Sequence, residues 1–321
     1  VDREGGFSWW PHQQRQDIYV DRERSEQDGT RLERVVVSTE IGNLHQAENG
    51  SPAAIAELTR LATLSGMVRE GRRLRLHCHA WVEKSNLPLY DMVLGLIAGL
   101  QLHEASVIAA ELTQNAVGDP LLTPHPTTGL REEPDEIASV VDSVITPVGQ
   151  LKTPWPNDMF QDLQDRYLSG PPCLLANAGD TGITAEFPFG AESSLMQASR
   201  EETHPLIGNG LLVRSAFDLD HVRDACCHDP LALNAWEIEH ANQPFFGSWC
   251  PSKNGRVAFV TFVPNALQHP AAATNSIMLS VGRARTMSTK WLGDDWSKTW
   301  DKHGNCRAKT AMERLMGGPD S

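Results

Sequence analysis

Read as a pattern of apolar and polar positions, the chain states one order of elements twice. Residues 32–41 place Val35, Val37, Thr39 and Ile41 on one face of a strand. Ser51-Pro52 predicts a helix start, N-cap then first helical position. Ile55, Leu58, Leu61 and Ala62 follow at helical spacing. Gly66 and Gly71 bracket a hairpin into a long strand, 72–83, where Leu74, Leu76, Cys78, Ala80 and Val82 alternate with Arg73, Arg75, His77, His79 and Trp81. Residues 87–117 predict a long helix with a break near Gln101-Leu102-His103. The second copy runs through a strand at 211–219, Asp229-Pro230, glycines 247 and 255, a strand at 256–264 and a helix from Pro270. The offset is 178 from Pro52 to Pro230 and 184 from Arg72 to Arg256, and every other landmark falls between these values.

The predicted fold class is α+β: two related units, each a small antiparallel sheet with helices on one face, in the order strand-strand-helix-strand-strand-helix. The first unit, 1–118, opens on Phe7-Ser8-Trp9-Trp10-Pro11, a strand candidate at 15–20 and a polar turn at 25–29. Residues 119–172 form a proline-rich connection with short helices expected at 135–142 and 157–168, the latter with Phe160, Leu163 and Tyr167 on one face. The second unit, 173–292, adds strands at 173–177 and 182–189 and an inserted loop at 190–207. A tail rich in tryptophan and basic residues, 293–321, closes the chain. The repeat, about 110 residues, is far longer than a solenoid repeat, which makes this a domain duplication.

The two long strands differ. The first is expected to turn Arg73, Arg75, His77, His79 and Trp81 outward, whereas Val257, Phe259, Phe262 and their neighbours make the second apolar on both faces. Such a strand must be covered on both sides, and an uncovered face would mark a binding surface. Val257, Phe259 and Phe262, with Trp9, Trp10 and Trp296, are therefore the expected contact residues for a protein partner, tryptophan being enriched at binding hot spots.

A formal charge of −13 disfavours nucleic acid and favours basic partners. The longest apolar run, 92–102, is short of the roughly 20 residues that span a bilayer, so no transmembrane segment is predicted. The charged N-terminus has no signal-peptide pattern, and the chain reads as cytoplasmic, with Val1 as a translated GTG start. Arginine outnumbers lysine 21 to 7, compatible with a GC-rich bacterial gene. The six cysteines, including vicinal Cys226-Cys227, have no CxxC spacing and read as reduced thiols.

Candidate chemistry is sparse. His77 and His79 share a strand face, but Arg73 and Arg75 beside them repel a cation, so Arg73, Arg75 and His77 read as an anion-attracting strip and no metal is predicted. His204, in His-Pro-Leu-Ile-Gly-Asn-Gly, is the candidate general base should a pocket form there. The run Glu132, Glu133, Asp135, Glu136 reads as solvated surface. No nucleophile elbow, P-loop, dinucleotide fingerprint or zincin motif is present, and no catalytic residue or cofactor is assigned.

The duplicated strand-strand-helix order over residues 7–292, in an acidic chain, resembles the type III secretion chaperone-like domains, including the YbjN family of bacteria. The resemblance rests on element order and charge and carries no residues across. It implies a covalent pseudo-dimer that binds unfolded or extended segments of other proteins. The expected function is therefore non-catalytic protein binding; the alternative is an enzyme or small-molecule-binding protein with a pocket between the two units near His204.

Overall fold

The computed structural model describes residues 1–3, 5–26, 29–45, 52–138, 155–156, 158–170, 173–219, 222, 228–252 and 256–293. The first sheet comprises β1 (Asp2–Arg3), β2 (Gly6–Trp9), β3 (Gln16–Ser25), β4 (Arg31–Leu44), β5 (Gly66–Glu70), β6 (Arg73–Val82) and β7 (Gly118–Pro120). Its order is β1-β2-β3-β4-β6-β5, with β7 also on β4. The second comprises β8 (Leu175–Ala178), β9 (Gly182–Phe189), β10 (Glu192–His204), β11 (Gly208–Ala216), β12 (Ser248–Pro251) and β13 (Val257–Pro264), in the order β8-β9-β10-β11-β13-β12. Position by position, the two orders are the same. The helices match as well: α1 (Pro52–Leu58) and α4 (Pro230–His240) precede the hairpins, while α2 (Leu87–Gln114) and α5 (Pro270–Leu292) follow them. A fifth, α3 (Met159–Leu163), lies in the connection. The fold is α+β with two antiparallel sheets; the first is larger than expected by β1, β2 and β7, the second by β10.

The compact units are not continuous in sequence. Unit 1 is Val1–Gln150, His204–Gly208 and Pro230–Cys250; unit 2 is Leu151–Thr203, Asn209–Asp229 and Pro251–Ser321. Helix α4 and residues 248–250, read from the sequence as part of 173–292, thus fall in unit 1.

In unit 1 the face of β4 and β6 bearing Ile41, Leu74 and Leu76 packs with Ile55, Leu58, Ala105, Ile108 and Leu112 from α1 and α2. Asn86 makes the turn into α2 by accepting from the Glu83 amide (2.9 Å) and donating to the Trp81 carbonyl (3.2 Å). No break occurs near Gln101. Its buried amide accepts from Thr39 Oγ1 (2.7 Å) and donates to the Val37 carbonyl (3.1 Å) and Ser65 Oγ (2.9 Å), so a polar residue that reads as an interruption is a satisfied core group. Among the described residues, α2 alone is long and apolar enough to cross a membrane by length and composition, and more than half of its most apolar stretch is buried inside the fold. At Gly42, beside a register shift in β4, a Cβ would stand 2.6 Å from the Asp119 carbonyl oxygen and 2.7 Å from Leu112 Cδ1. Glycine is what lets β7 and α2 close over β4.

In the second sheet residues 192–204, expected as a loop, form strand β10 and pair with β9 from Glu192↔Phe189 to Ser199↔Gly182. Its run of Ser, Gln, Arg and Glu hides the strand from a search for apolar alternation, yet Leu195, Met196 and Ala198 are buried. Helix α5 opens with His269 Nδ1 accepting from the Ala271 amide (3.2 Å) and ends at Gly293 with φ 68°. The remaining helix expected at 135–142 is helical at 136–138; its other half lies outside the described residues, as does Ser51.

Candidate functional site

Strand β6 alternates as expected, but the expected exposure is overturned. Arg73 is exposed, Arg75 is half-buried, and His77, His79 and Trp81 are buried. Three arginines of β3 and β4 hold the end of α4 against this face. Arg34, Arg22 and Arg24 donate to the carbonyls of Ile238 (2.8 Å), Glu239 (3.1 Å) and Asn242 (3.1 Å), where a helix end leaves acceptors unpaired and its dipole favours cations. Arg34 also pairs with Asp21, and Arg24 lies 4.4 Å over the Trp81 ring. Beyond α4, Phe245 bridges to β6: its amide donates to the His79 carbonyl (2.9 Å) and its ring stacks on the imidazole at 6.0 Å.

The histidines are neutral here. His79 Nε2 donates to the Gln243 carbonyl (3.1 Å), which leaves Nδ1 to accept from His77 Nε2 (3.3 Å). Burial, then the charge of Arg34, pushes His79 down to about 3; burial, then the neighbouring His79, holds His77 well below its usual range. Arg75 is committed to Asp17 (2.8 Å), which also accepts from Ser8 Oγ (2.5 Å) and pairs with Arg15 (3.3 Å). Arg15 pairs in addition with Glu40 (3.0 Å). Arg75 is thus paired and His77 is buried, and of the three residues of the expected anion-attracting strip Arg73 is the exposed one.

Of the expected partner contacts among the described residues, all but Trp9 are buried. Val257, Phe259 and Phe262 are at most 3% exposed, with the Arg283 guanidinium 3.2 Å from the Phe259 ring centre. Trp10 is buried edge-on to His125 (4.9 Å), and half-buried Trp9 donates to Gln16 Oε1 (2.8 Å). Trp296 and Cys226-Cys227 lie outside the described residues. His204 is buried, its ring 3.3 Å from the Arg60 carbonyl and from the Leu206 amide, and burial lowers it to about 4. Both ring nitrogens are occupied, which removes the expected general base. Cys78, Cys173 and Cys250 are buried free thiols, and among the described residues no three of His, Cys, Asp and Glu converge as metal ligands.

The structure instead presents a cavity of about 560 Å³ in unit 2. Trp155, Met159, Leu163 and Tyr167 give it apolar and aromatic walls; Asp158, Asp162 and Arg166 stand at the exposed side; Gln268 and Thr274 come from the approach to α5 and its first turns. Trp155 is pinned by Arg200 of β10, whose Nη1 donates to the Trp155 carbonyl (2.7 Å). Helix α3 runs into a π-helical turn, Gln164–Leu168. That wider turn explains a difference from the sequence reading: Phe160 and Leu163 face the core, whereas Tyr167 is rotated out to 46% exposure. Asp162 and Arg166 pair with each other at 3.2 Å.

Only the aromatic stripe Phe160, Leu163, Tyr167 hinted at this site in the sequence. The cavity offers shape, apolar surface and charge, without a nucleophile beside a base. Comparison with family models, curated proteins and solved structures gave no match.

Proposed function

We propose that the chain is a non-catalytic binding protein that engages segments of a partner protein, with the cavity beside α3 as the receiving site. The observation that carries this reading is the open cavity with an apolar floor and a charged rim, of a volume that accepts side chains. The duplicated strand order and the charge of −13 accord with the resemblance to chaperone-like domains of bacteria, and a cytoplasmic setting would follow from it. Strand addition on β13 is not part of the proposal, since β11 and β12 occupy its two edges.

The cavity volume also suits a small-molecule ligand, which is the second reading. Replacing Tyr167 by a photo-crosslinking phenylalanine analogue in the full chain separates the two. A discrete protein adduct formed from Tyr167 and not from the same probe at exposed Leu130 supports partner binding. Equal labelling from both positions, or none, removes it.

A further inference from the structure

The chemistry of the cavity wall selects its occupant. Asp162 and Arg166 satisfy each other at 3.2 Å, so they add little net charge to the mouth. Asp158 has no hydrogen bond or ion pair through its carboxylate among the described residues, and it is exposed at the same rim. Among the described residues, the uncompensated charge at the opening is therefore negative. Behind it stand the exposed ring of Tyr167, whose face attracts cations, and the apolar surface of Met159 with buried Trp155 and Leu163. A group suited to all of these has an apolar stem and a cationic head, which is the form of a lysine or arginine side chain. The field of a chain carrying −13 steers such a segment inward and repels an acidic one.

We infer that the cavity takes a basic, apolar-flanked segment of a partner, the cationic head meeting Asp158 and the flanking apolar side chains filling the space between Trp155, Met159 and Tyr167. This rests on the partner-binding reading and adds its selectivity. An acidic segment would leave Asp158 facing a like charge, and a purely polar basic one would leave the apolar walls wetted.

The test uses full-length protein and three fluorescein-labelled decapeptides, alternating Lys/Leu, Glu/Leu and Lys/Ser, read by fluorescence anisotropy. The Lys/Leu peptide is expected to bind at least tenfold more tightly than either of the others. Asp158→Asn should weaken it about three- to tenfold and reduce its salt dependence. Glu132→Gln, which removes the same charge from an exposed site in the connection, should leave it within twofold. Tyr167→Ala should weaken all cavity binding. Equal losses for Asp158→Asn and Glu132→Gln would reduce the effect to general charge attraction and overturn the inference. Tighter binding of Glu/Leu, lost in Tyr167→Ala, would keep the cavity as a partner site but overturn its basic selectivity. Binding unaffected by Tyr167→Ala would remove the cavity itself.

Discussion

Glu104 lies in the middle of α2 with no exposed surface, and only one of its oxygens is used. Oε1 accepts from the amide (3.1 Å) and hydroxyl of Thr63, while buried Oε2 has no hydrogen-bond partner. Burial raises the carboxyl from 4.5 to about 7, and the Thr63 bonds oppose this without cancelling it. Neighbouring Cys78 is itself pushed up by burial and adds no charge. Because the folded pKa lies above the unfolded one, the folded state holds the extra proton. Stability from this group is complete below about 4.5 and is lost as pH rises through about 7. The full swing is roughly 3 kcal/mol, of which about 2 kcal/mol falls between pH ~5.5 and ~8.5. Glu104→Gln keeps the Oε1 acceptor and cannot ionise. Urea denaturation of both proteins across that range, followed by tryptophan fluorescence, should show the variant's advantage over the parent growing by about 2 kcal/mol toward alkaline pH, from about 1 kcal/mol already present at the acidic end. Other titrations cancel in the difference. Stability curves that stay parallel across pH would show that Glu104 binds the same number of protons folded and unfolded, and the reasoning would fail. Loss of a protonated-carboxyl infrared band in Glu104→Gln at the acidic end gives an independent check.

The histidine pair has the opposite sign. His79 is depressed to about 3, so its contribution is complete above about 6.5 and is lost as pH falls toward 3; His79→Gln should flatten the acid limb of a melting-temperature profile. Phe245→Ala removes a ring that is 1% exposed and stacked on His79, and should cost about 3–5 kcal/mol in chemical denaturation. Gly42→Ala drives a methyl onto the Asp119 carbonyl and should cost about 1–3 kcal/mol, with faster amide exchange at β7 as the local readout. Arg34→Met leaves the Ile238 carbonyl and Asp21 without their donor, and a loss of about 2–4 kcal/mol with early exchange at the end of α4 is expected.

The repeated strand order was legible because glycine and proline landmarks hold a nearly constant spacing and Leu74 to Val82 alternate cleanly. Exposure was not legible. Alternation assigns residues to faces but does not say what covers each face, and Arg73 to Trp81 looked like a solvent face because their cover, 238–246, is far away in sequence. Gln101 and β10 were misread for a related reason: a polar side chain reads as surface until its buried partners are known. The cavity depends on a π-helical turn that redirects Tyr167 and on Gln268 and Thr274 from a distant segment. Local spacing holds neither fact.

Unit 1 draws on three separate stretches of chain, the last ending at Cys250. On the ribosome, β1 to β6 are made early and His79 can pair with Val36 of β4, yet the opposite edge of β6 at His79 has no partner until Phe245 emerges. The nascent first sheet must therefore persist with Trp81 and the histidine pair uncovered while much of the second copy is still being translated. A messenger truncated between the copies would yield a half that still lacks its own lid. Such a duplication resists reversal in evolution, because deleting the later copy also deletes part of the earlier unit.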